Sequence, residues 1–428
     1  MTLSESRSLR LLTLCALYVS QGIPWGFVAI TLVAWLAGQG MSAEDVAKVT
    51  VLSGLPWTFK WAWGPFIDRF GLQSMGRRRP WILLAQGMMA LTLLLLVAIP
   101  DLTESIQLLA WMVFAHNVFN SLQDVAVDAL AVDLLPEAER GKANGLMYGS
   151  KYLGGAIGGA GMATVMASHG LRAALLVQVS VLGLIFLLPL LLRERPGERL
   201  LPWTAGRASP VSHAQRAESV ASVFHALLRA MSFRSSLLTA ALALTISTGA
   251  GLLGVVGVVF IVQELGWSDT EYAQVSGGWG LVFGLAGSVL GGFVADRLGH
   301  RRTIAGGCVA LAALWLGFSL AQPLWEERDF ITAFLLLDAL FMSLTTVGFF
   351  ALAMGVSWPK VAATQFTAYM ALANLSAVWG GWAAGKLDGL LSVPTIYMMC
   401  AALQLGVAAL LIGIDASEVR RELATPKV

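Results

Sequence analysis

Long apolar runs, each closed by a short polar or glycine–proline step, alternate along the chain from Arg10 to Ile414. A helix that crosses a bilayer needs about 20 predominantly apolar residues. Twelve stretches reach that length: residues 10–38, 46–67, 80–99, 106–131, 143–167, 171–192, 235–263, 271–295, 303–322, 330–354, 361–385 and 391–414. The breaks between them carry turn chemistry, as at Gln39-Gly40, Pro100-Asp101, Pro136-Glu137, His169-Gly170, Gly266-Trp267, Pro323, Pro359 and Asp388-Gly389. The pattern predicts an all-α membrane protein of twelve transmembrane helices.

Composition agrees with that pattern. The 428 residues are 57% hydrophobic and 13% charged, with mean hydropathy +0.72, whereas a soluble domain carries about 25% charged residues. A water-soluble globule is excluded. Cys15, Cys308 and Cys400 all lie inside apolar stretches, where a cysteine behaves as a small hydrophobe rather than as half of a disulfide or a metal ligand. The first apolar stretch is too long for a signal peptide and lacks a small-residue cleavage site, so it is read as a retained span.

Basic residues set the orientation. With the amino terminus inside, 22 of the 28 Lys and Arg fall at the inner face, and only Lys48, Arg172, Arg328 and Lys386 fall outside. Lys60 and Lys151 lie within spans. Both termini are therefore expected in the cytoplasm. The expected domains are a first six-helix bundle (1–192), a cytoplasmic linker (193–234), a second six-helix bundle (235–414) and a cytoplasmic tail (415–428). The first part of the linker is rich in Pro, Gly, Ser and charge and reads as flexible. Its second part, from Glu218 to Met231, has the spacing of an amphipathic surface helix, although a plain connector fits equally well.

The two halves repeat each other. GPFIDRFG at Gly64–Gly71 matches GGFVADRLG at Gly291–Gly299, and GMSAEDVA at Gly40–Ala47 matches GWSDTEYA at Gly266–Ala273. In the second pair Ser42 and Ser268 each precede an acid by three residues, the pattern of a helix amino-terminal cap. Twelve spans with parallel half-repeats point to an alternating-access transporter.

Gly64-x-x-x-Asp68-Arg69-x-Gly71, followed by Arg77, Arg78 and Arg79, resembles the loop motif of the major facilitator superfamily. Gly292-x-x-x-Asp296-Arg297-x-Gly299 is the second copy. The resemblance spans essentially the whole chain and implies a cytoplasmic gate. In that gate the glycines permit close helix approach and the aspartates cap helix amino termini. The arginines pair with an acid at the end of an adjacent span, Asp133 or Asp128. Within the superfamily, Gln21-Gly22-Ile23-Pro24, Ala34-Trp35-Leu36, Gly54 to Lys60, Trp63-Gly64-Pro65, Ser121 to Ala129 and Leu135 to Gly141 are similar to the muropeptide permease (AmpG-type) and acetyl-coenzyme A transporter group. Those permeases carry two further helices, and short twelve-span relatives include importers of iron–siderophore complexes, so both substrate classes stay open.

Ionisable residues inside spans cost roughly 2.5–3.5 kcal/mol each on insertion scales, which makes them functional candidates. Lys60, Asp124 and Lys151 fall at similar depth, and Asp128 lies one helical turn from Asp124 on the same face. The sequence thus suggests a Lys60–Asp124/Asp128–Lys151 network in which an aspartate takes up a proton; a static buried pair is the plainer alternative. His116, Asn120 and Gln123 extend the polar line, with Asn117 beside them. Asp338 is the one acid well inside a span of the second half. Trp57 and Trp61 flank Lys60 and offer stacking surfaces to a sugar or aromatic ring, or simple packing. Gln365, Thr367, Tyr369, Asn374 and Ser376 make span 11 polar. Glycines 149, 154, 155, 158, 159 and 161 mark span 5 as a close-packing helix. There is no Walker loop, metal-binding cluster or hydrolytic triad in the sequence, so neither an enzyme nor a cofactor is expected. The expected partners are a small-molecule substrate, protons and the lipid bilayer, with no nucleic acid, for a monomer in a bacterial inner membrane. The sequence points to proton-coupled uptake of a medium-sized polar solute such as a muropeptide, the alternatives being siderophore import or a transporter-fold sensor.

Overall fold

The computed structural model describes residues 2–70, 72–99, 104–209, 220–358, 361–415, 417–418 and 421. These residues are helical almost throughout. In chain order the helices are α1 (Arg7–Gly26), α2 (Val33–Gly38), α3 (Ala43–Thr58), α4 (Trp63–Arg69), α5 (Arg79–Ala98), α6 (Ile106–Leu134), α7 (Glu137–Ala156), α8 (Met162–Leu191) and α9 (Val220–Met231). They continue as α10 (Arg234–Ile246), α11 (Thr248–Val259), α12 (Asp269–Gln274), α13 (Gly280–Leu298), α14 (His300–Leu320), α15 (Arg328–Val356), α16 (Ala362–Leu387) and α17 (Val393–Leu410).

The local signals account for the boundaries. Ser42 and Ser268 cap α3 and α12, their hydroxyls accepting from the backbone N–H of Asp45 and Glu271 at 3.2 and 3.0 Å, as the duplicated motif predicts. Gly170, at φ +81°, turns the chain inside α8 and so divides the 47-residue helical stretch Gly145–Leu191 into two legs. The second sequence-predicted span is not one helix. Pro56 removes a backbone donor near the end of α3, Phe59 leaves the helical region (φ −117°, ψ 15°), and a 3₁₀ turn over Lys60–Ala62 leads into α4. A helix-wide face shared by Trp57 and Trp61 therefore does not exist.

Among the described residues, eight helical stretches are long and apolar enough to cross a membrane. The predicted spans outside that set are the broken pair α3–α4 and the more polar helices α6 and α16. All three of these spans carry residues that the sequence singles out.

The chain forms two compact units. Unit 1 comprises 1–32 and 62–218; unit 2 comprises 33–61 and 219–428. Unit 1 is built on a glycine seam. A Cβ placed on Gly22, Gly26, Gly154 or Gly158 would fall between 1.9 and 2.4 Å from a backbone oxygen of the facing helix, so α1 and the α7 end of span 5 meet backbone to backbone. Gly149, by contrast, has open space around it. The seam runs into two π turns, Phe27–Leu32 and Ile157–Gly161. The Thr31 hydroxyl lies 2.9 and 2.6 Å from the Gly158 and Gly159 carbonyls, which the π turn leaves poorly satisfied. Below the seam Leu14, Leu17, Tyr18, Ile82, Leu122, Ala126 and Leu130 form the core.

Unit 2 contains a hairpin from the first half of the sequence, α2 and α3. It packs on α16, where Gly385 faces Ala47 and Glu44, and Gly54 faces Val378. The Gln263 amide donates to the carbonyls of Ala37 and Met41 at 2.9 and 2.8 Å, and Asn374 donates to Trp57 O at 3.1 Å. The unit's core is Leu242, Ile304, Phe349, Leu352 and Tyr369.

Gly158→Leu is expected to lower the thermal midpoint of the purified protein in detergent, because overpacking of a tight contact typically costs about 1–3 kcal/mol. Gly149→Ala serves as the control and is expected to leave the midpoint unchanged. Equal melting of the two variants would contradict the seam.

Candidate functional site

Helix α6 places His116, Asn120, Asp124 and Asp128 at successive intervals of four residues, which puts them on one face over three turns. The first three are buried. Asp124 pairs with Lys151 of α7 at 3.9 Å. Asp128, the most exposed of the four, accepts a short hydrogen bond from the Tyr18 hydroxyl of α1. The His116 Nδ1 lies 2.9 Å from the Thr92 hydroxyl of α5. The Asn120 amide is fully enclosed and has no hydrogen-bond partner among the described residues.

Beside this line, Ser20 organises a second polar knot. Its hydroxyl donates to Leu17 O at 2.7 Å and accepts from the amides of Gln123 and Gln86 at 2.8 and 3.1 Å. Gln123 also reaches Leu17 O at 3.1 Å, and Trp63 donates from its indole to Ser121 at 3.0 Å. Gln86, Gln123 and Trp63 thus each meet a partner from a different helix. Chemically, the line offers carboxylates, an imidazole and amides along one track, the equipment for binding a polar solute or relaying a proton.

Three members of the predicted charge network, Asp124, Asp128 and Lys151, lie in unit 1. Asp124 and Lys151 form the pair, and Tyr18, which the sequence reading missed, takes Asp128. Lys60 belongs to unit 2. It is buried at the helix break with its ammonium 5.7 Å from the Trp57 ring, while Trp61 is half exposed. In unit 2, Asp338 of α15 accepts the Trp315 indole N–H of α14 at 2.7 Å. The polar residues of α16 turn to structural bonds. Gln365 holds Trp358 N, Ser236 and Tyr369, and Ser376 accepts from Ser247 N.

The predicted gate resolves differently in its two copies. Gly71 and the side chains of Asp68 and Arg69 lie outside the described residues. Asp133 is at the end of α6 as expected, and its described partners are Arg78 at 2.9 Å and Arg77 at 3.9 Å. In the second copy Asp296 and Arg297 are exposed, and Gly299 turns the chain at φ +85°. The close-approach glycine there is Gly291, where an added Cβ would fall 3.0 Å from the Leu344 backbone. A Cβ placed on Gly64 or Gly292 would have nothing within 4 Å.

The largest departure from expectation is the start of the linker. Residues 193–209 fold onto the basic end of unit 1. Glu194 is completely buried and accepts from the backbone N–H groups of Arg77, Arg78 and Arg79, capping α5 where its unpaired donors gather. The Arg79 guanidinium, also buried, donates to the carbonyls of Pro189, Leu190, Arg199 and Leu200. Thr2 forms a β-bridge with Arg193, and Arg7 and Arg10 reach Glu139 at 3.1 and 3.5 Å. Composition hid this, because the charges that make the segment look solvated are the ones that fold it.

Burial pushes the Glu194 carboxyl up to about 7, against the pull of the three backbone N–H groups, which favour the anion. Its folded pKa therefore lies above the ordinary 4.5. The linked stability is fully present below that ordinary value and is lost as pH rises through about 7. Glu194→Gln is expected to flatten the fall in thermal midpoint between these two pH values, measured by denaturation in detergent. A variant whose midpoint follows the wild-type pH curve would refute the assignment.

The comparisons place this geometry among known proteins. The family model of the Major Facilitator Superfamily matches residues 14–381 and 237–427. The anhydromuropeptide permease of Escherichia coli (strain K12) is 24% identical over 395 residues, covering 90% of this chain and 75% of the permease. A putative transporter, AmpG 4, of Rickettsia conorii is 25% identical over 328 residues, covering 72% of this chain and 74% of that protein. Among solved structures, the nucleoside transporter NupG superposes with a TM-score of 0.72 at 12% identity, over 94% of this chain and 98% of that one. A D-xylose–proton symporter superposes at 0.69 with 15% identity, over 96% and 98%. These likenesses confirm an all-helical transporter fold and a multi-pass integral membrane protein, and the chain belongs to the major facilitator superfamily.

Proposed function

We propose that the protein is a secondary active transporter that takes up a peptidoglycan-derived muropeptide, or a solute of similar size and polarity, together with protons. In this reading twelve spans form two six-helix bundles, 1–192 and 235–414, with both termini in the cytoplasm of a bacterial inner membrane, and transport proceeds by alternating access. The observation that carries the proposal is the pairing of the buried Asp124, on the polar face of α6, with the partly buried Lys151. A charge pair kept inside an apolar bundle against its desolvation cost calls for a use. Protonation of Asp124 would release Lys151, and re-ionisation would restore the pair, so proton binding and the arrangement of α6 against α7 become linked. Asp128 stands one turn away, held by Tyr18, as the more exposed carboxylate on the same track. Lys60, Trp57 and Trp61 are assigned to the solute, the indoles presenting flat surfaces to sugar rings and the ammonium a counter-charge to peptide carboxylates. The paired motifs at Gly64–Gly71 and Gly292–Gly299 are assigned to the cytoplasmic gate.

The substrate class rests on the curated relatives, whose name specifies an anhydromuropeptide. The test is uptake of radiolabelled anhydromuropeptide into proteoliposomes with an imposed inward proton gradient. Wild-type protein is expected to accumulate the label and to stop when an ionophore collapses the gradient. Asp124→Asn is expected to lose at least about tenfold of gradient-driven uptake, the equivalent of one pKa unit of coupling. Accumulation that ignores the gradient would rule out proton coupling, and failure to move any muropeptide would rule out the substrate class.

A further inference from the structure

The half-repeat extends from the loops into the chemistry. Helices α6 and α15 are both 29 residues long, and their first residues, Ile106 and Arg328, and their last, Leu134 and Val356, are each 222 positions apart. His116 and Asp338 are also 222 positions apart, so they occupy the same place in the two copies. Each bonds to the preceding helix. His116 meets Thr92 of α5 and Asp338 meets Trp315 of α14, partners that correspond to within one residue.

The two contacts share a logic. With the single Thr92 hydroxyl hydrogen assigned to Met89 O at 2.8 Å, the Thr92 oxygen accepts from His116, which assigns the imidazole proton to Nδ1. That leaves Nε2 as a bare acceptor, buried and without a hydrogen-bond partner among the described residues. Indole is a donor only, so the Trp315 contact fixes Oδ1 of Asp338 as an acceptor and leaves Oδ2 to carry a proton. In each copy one atom of a titratable side chain is locked by the neighbouring helix and the other remains free.

We infer that His116 Nε2 and Asp338 Oδ2 are the corresponding proton-binding sites of the two half-repeats, additional to the Asp124–Lys151 pair. A proton taken by Nε2 makes the imidazolium while Nδ1–H keeps its bond to Thr92. A proton taken by Oδ2 neutralises Asp338 while Oδ1 keeps its bond to Trp315. Each site thus gains one positive charge without changing its helix-to-helix contact.

The surroundings of the two sites differ. His116 lines a small internal cavity whose one other polar residue is Gln178 of α8, among Pro24, Phe27, Leu93, Leu109 and other apolar side chains. No charged side chain lines it. The titratable groups facing Asp338 are Tyr272 of α12 and Tyr397 of α17, with Cys400 next to Tyr397. Cys400 stands 222 positions after Gln178, so the third helix of the junction corresponds as well.

As a coupling site this pair rests on the proton-coupled reading above; as a proton site it can be tested alone. The probe is the proton, read by pH-difference infrared spectroscopy of the purified full-length protein between about pH 3 and pH 8, a window wide enough for a carboxyl and an imidazole held in apolar surroundings. Asp338→Asn retains an acceptor for Trp315, and His116→Asn retains a donor for Thr92. The wild-type spectrum is expected to contain a carboxylic C=O component that Asp338→Asn lacks and an imidazole component that His116→Asn lacks. Difference spectra that superimpose on the wild type would overturn the sites. Should either variant fail to fold, Trp315→Phe and Thr92→Val keep the titrating groups and are expected to shift the same components; unshifted midpoints would equally overturn the inference. In the uptake assay both Asn variants are expected to lose about tenfold of gradient-driven accumulation while solute exchange at equal pH is retained. Wild-type protein without gradient-driven uptake would defeat the coupling function and leave proton binding to the infrared result.

Discussion

In an apolar surrounding, every backbone N–H and C=O must find a partner inside the protein, because no water is there to supply one. This requirement ties together the irregular parts of the structure. Where a π turn disturbs the α7 ladder, the Thr31 hydroxyl reaches the two exposed carbonyls. Where α2 ends, the Gln263 amide crosses from another helix to bond Ala37 and Met41. Where α3 breaks after Pro56, Asn374 takes the carbonyl of Trp57. Polar side chains in the spans are therefore not all reserved for solute. Several of them are backbone partners, and the breaks they support give the helices bends that an unbroken hydrogen-bond ladder would not allow.

The same requirement separates the residues with a settled duty from those without one. Gln86 and Gln123 both donate to Ser20, and Gln365 is shared among three partners. The amides of Asn120, Gln21 and Gln178 and the Nε2 of His116 are buried without a hydrogen-bond partner among the described residues. Asn120 and His116 lie on the face of α6 that also holds Asp124 and Asp128.

Much of this was legible in the chain. Periodicity located the helices, the Ser–acid pairs located two caps, and the run of glycines in span 5 announced the seam with α1. The paired loop motifs identified the superfamily that the comparisons show. The rest depended on tertiary partners. Tyr18, Thr92 and Trp315 sit in apolar runs with nothing to mark them, and they matter only because a titratable group on another helix falls opposite. Lys60 falls in a helix break that follows Pro56, which a count along an unbroken helix does not show. The stretch 193–209 was misjudged because charge density was taken for solvation, whereas Glu194 and Arg79 are satisfied almost wholly by backbone groups.

The hairpin of α2 and α3 has a consequence for how the two halves came to depend on each other. Its residues belong to the first copy of the repeat, yet they complete the second compact unit, covering α16 through Gly54, Gly381 and Gly385. An ancestral half that folded and paired with its twin would have had symmetrical obligations. This chain has one segment lent across the duplication, entered through a π turn at Phe27–Leu32 and left through the 3₁₀ turn at Lys60–Ala62. A second half cut at the linker would accordingly lack the hairpin that covers Gly381 and Gly385 of α16.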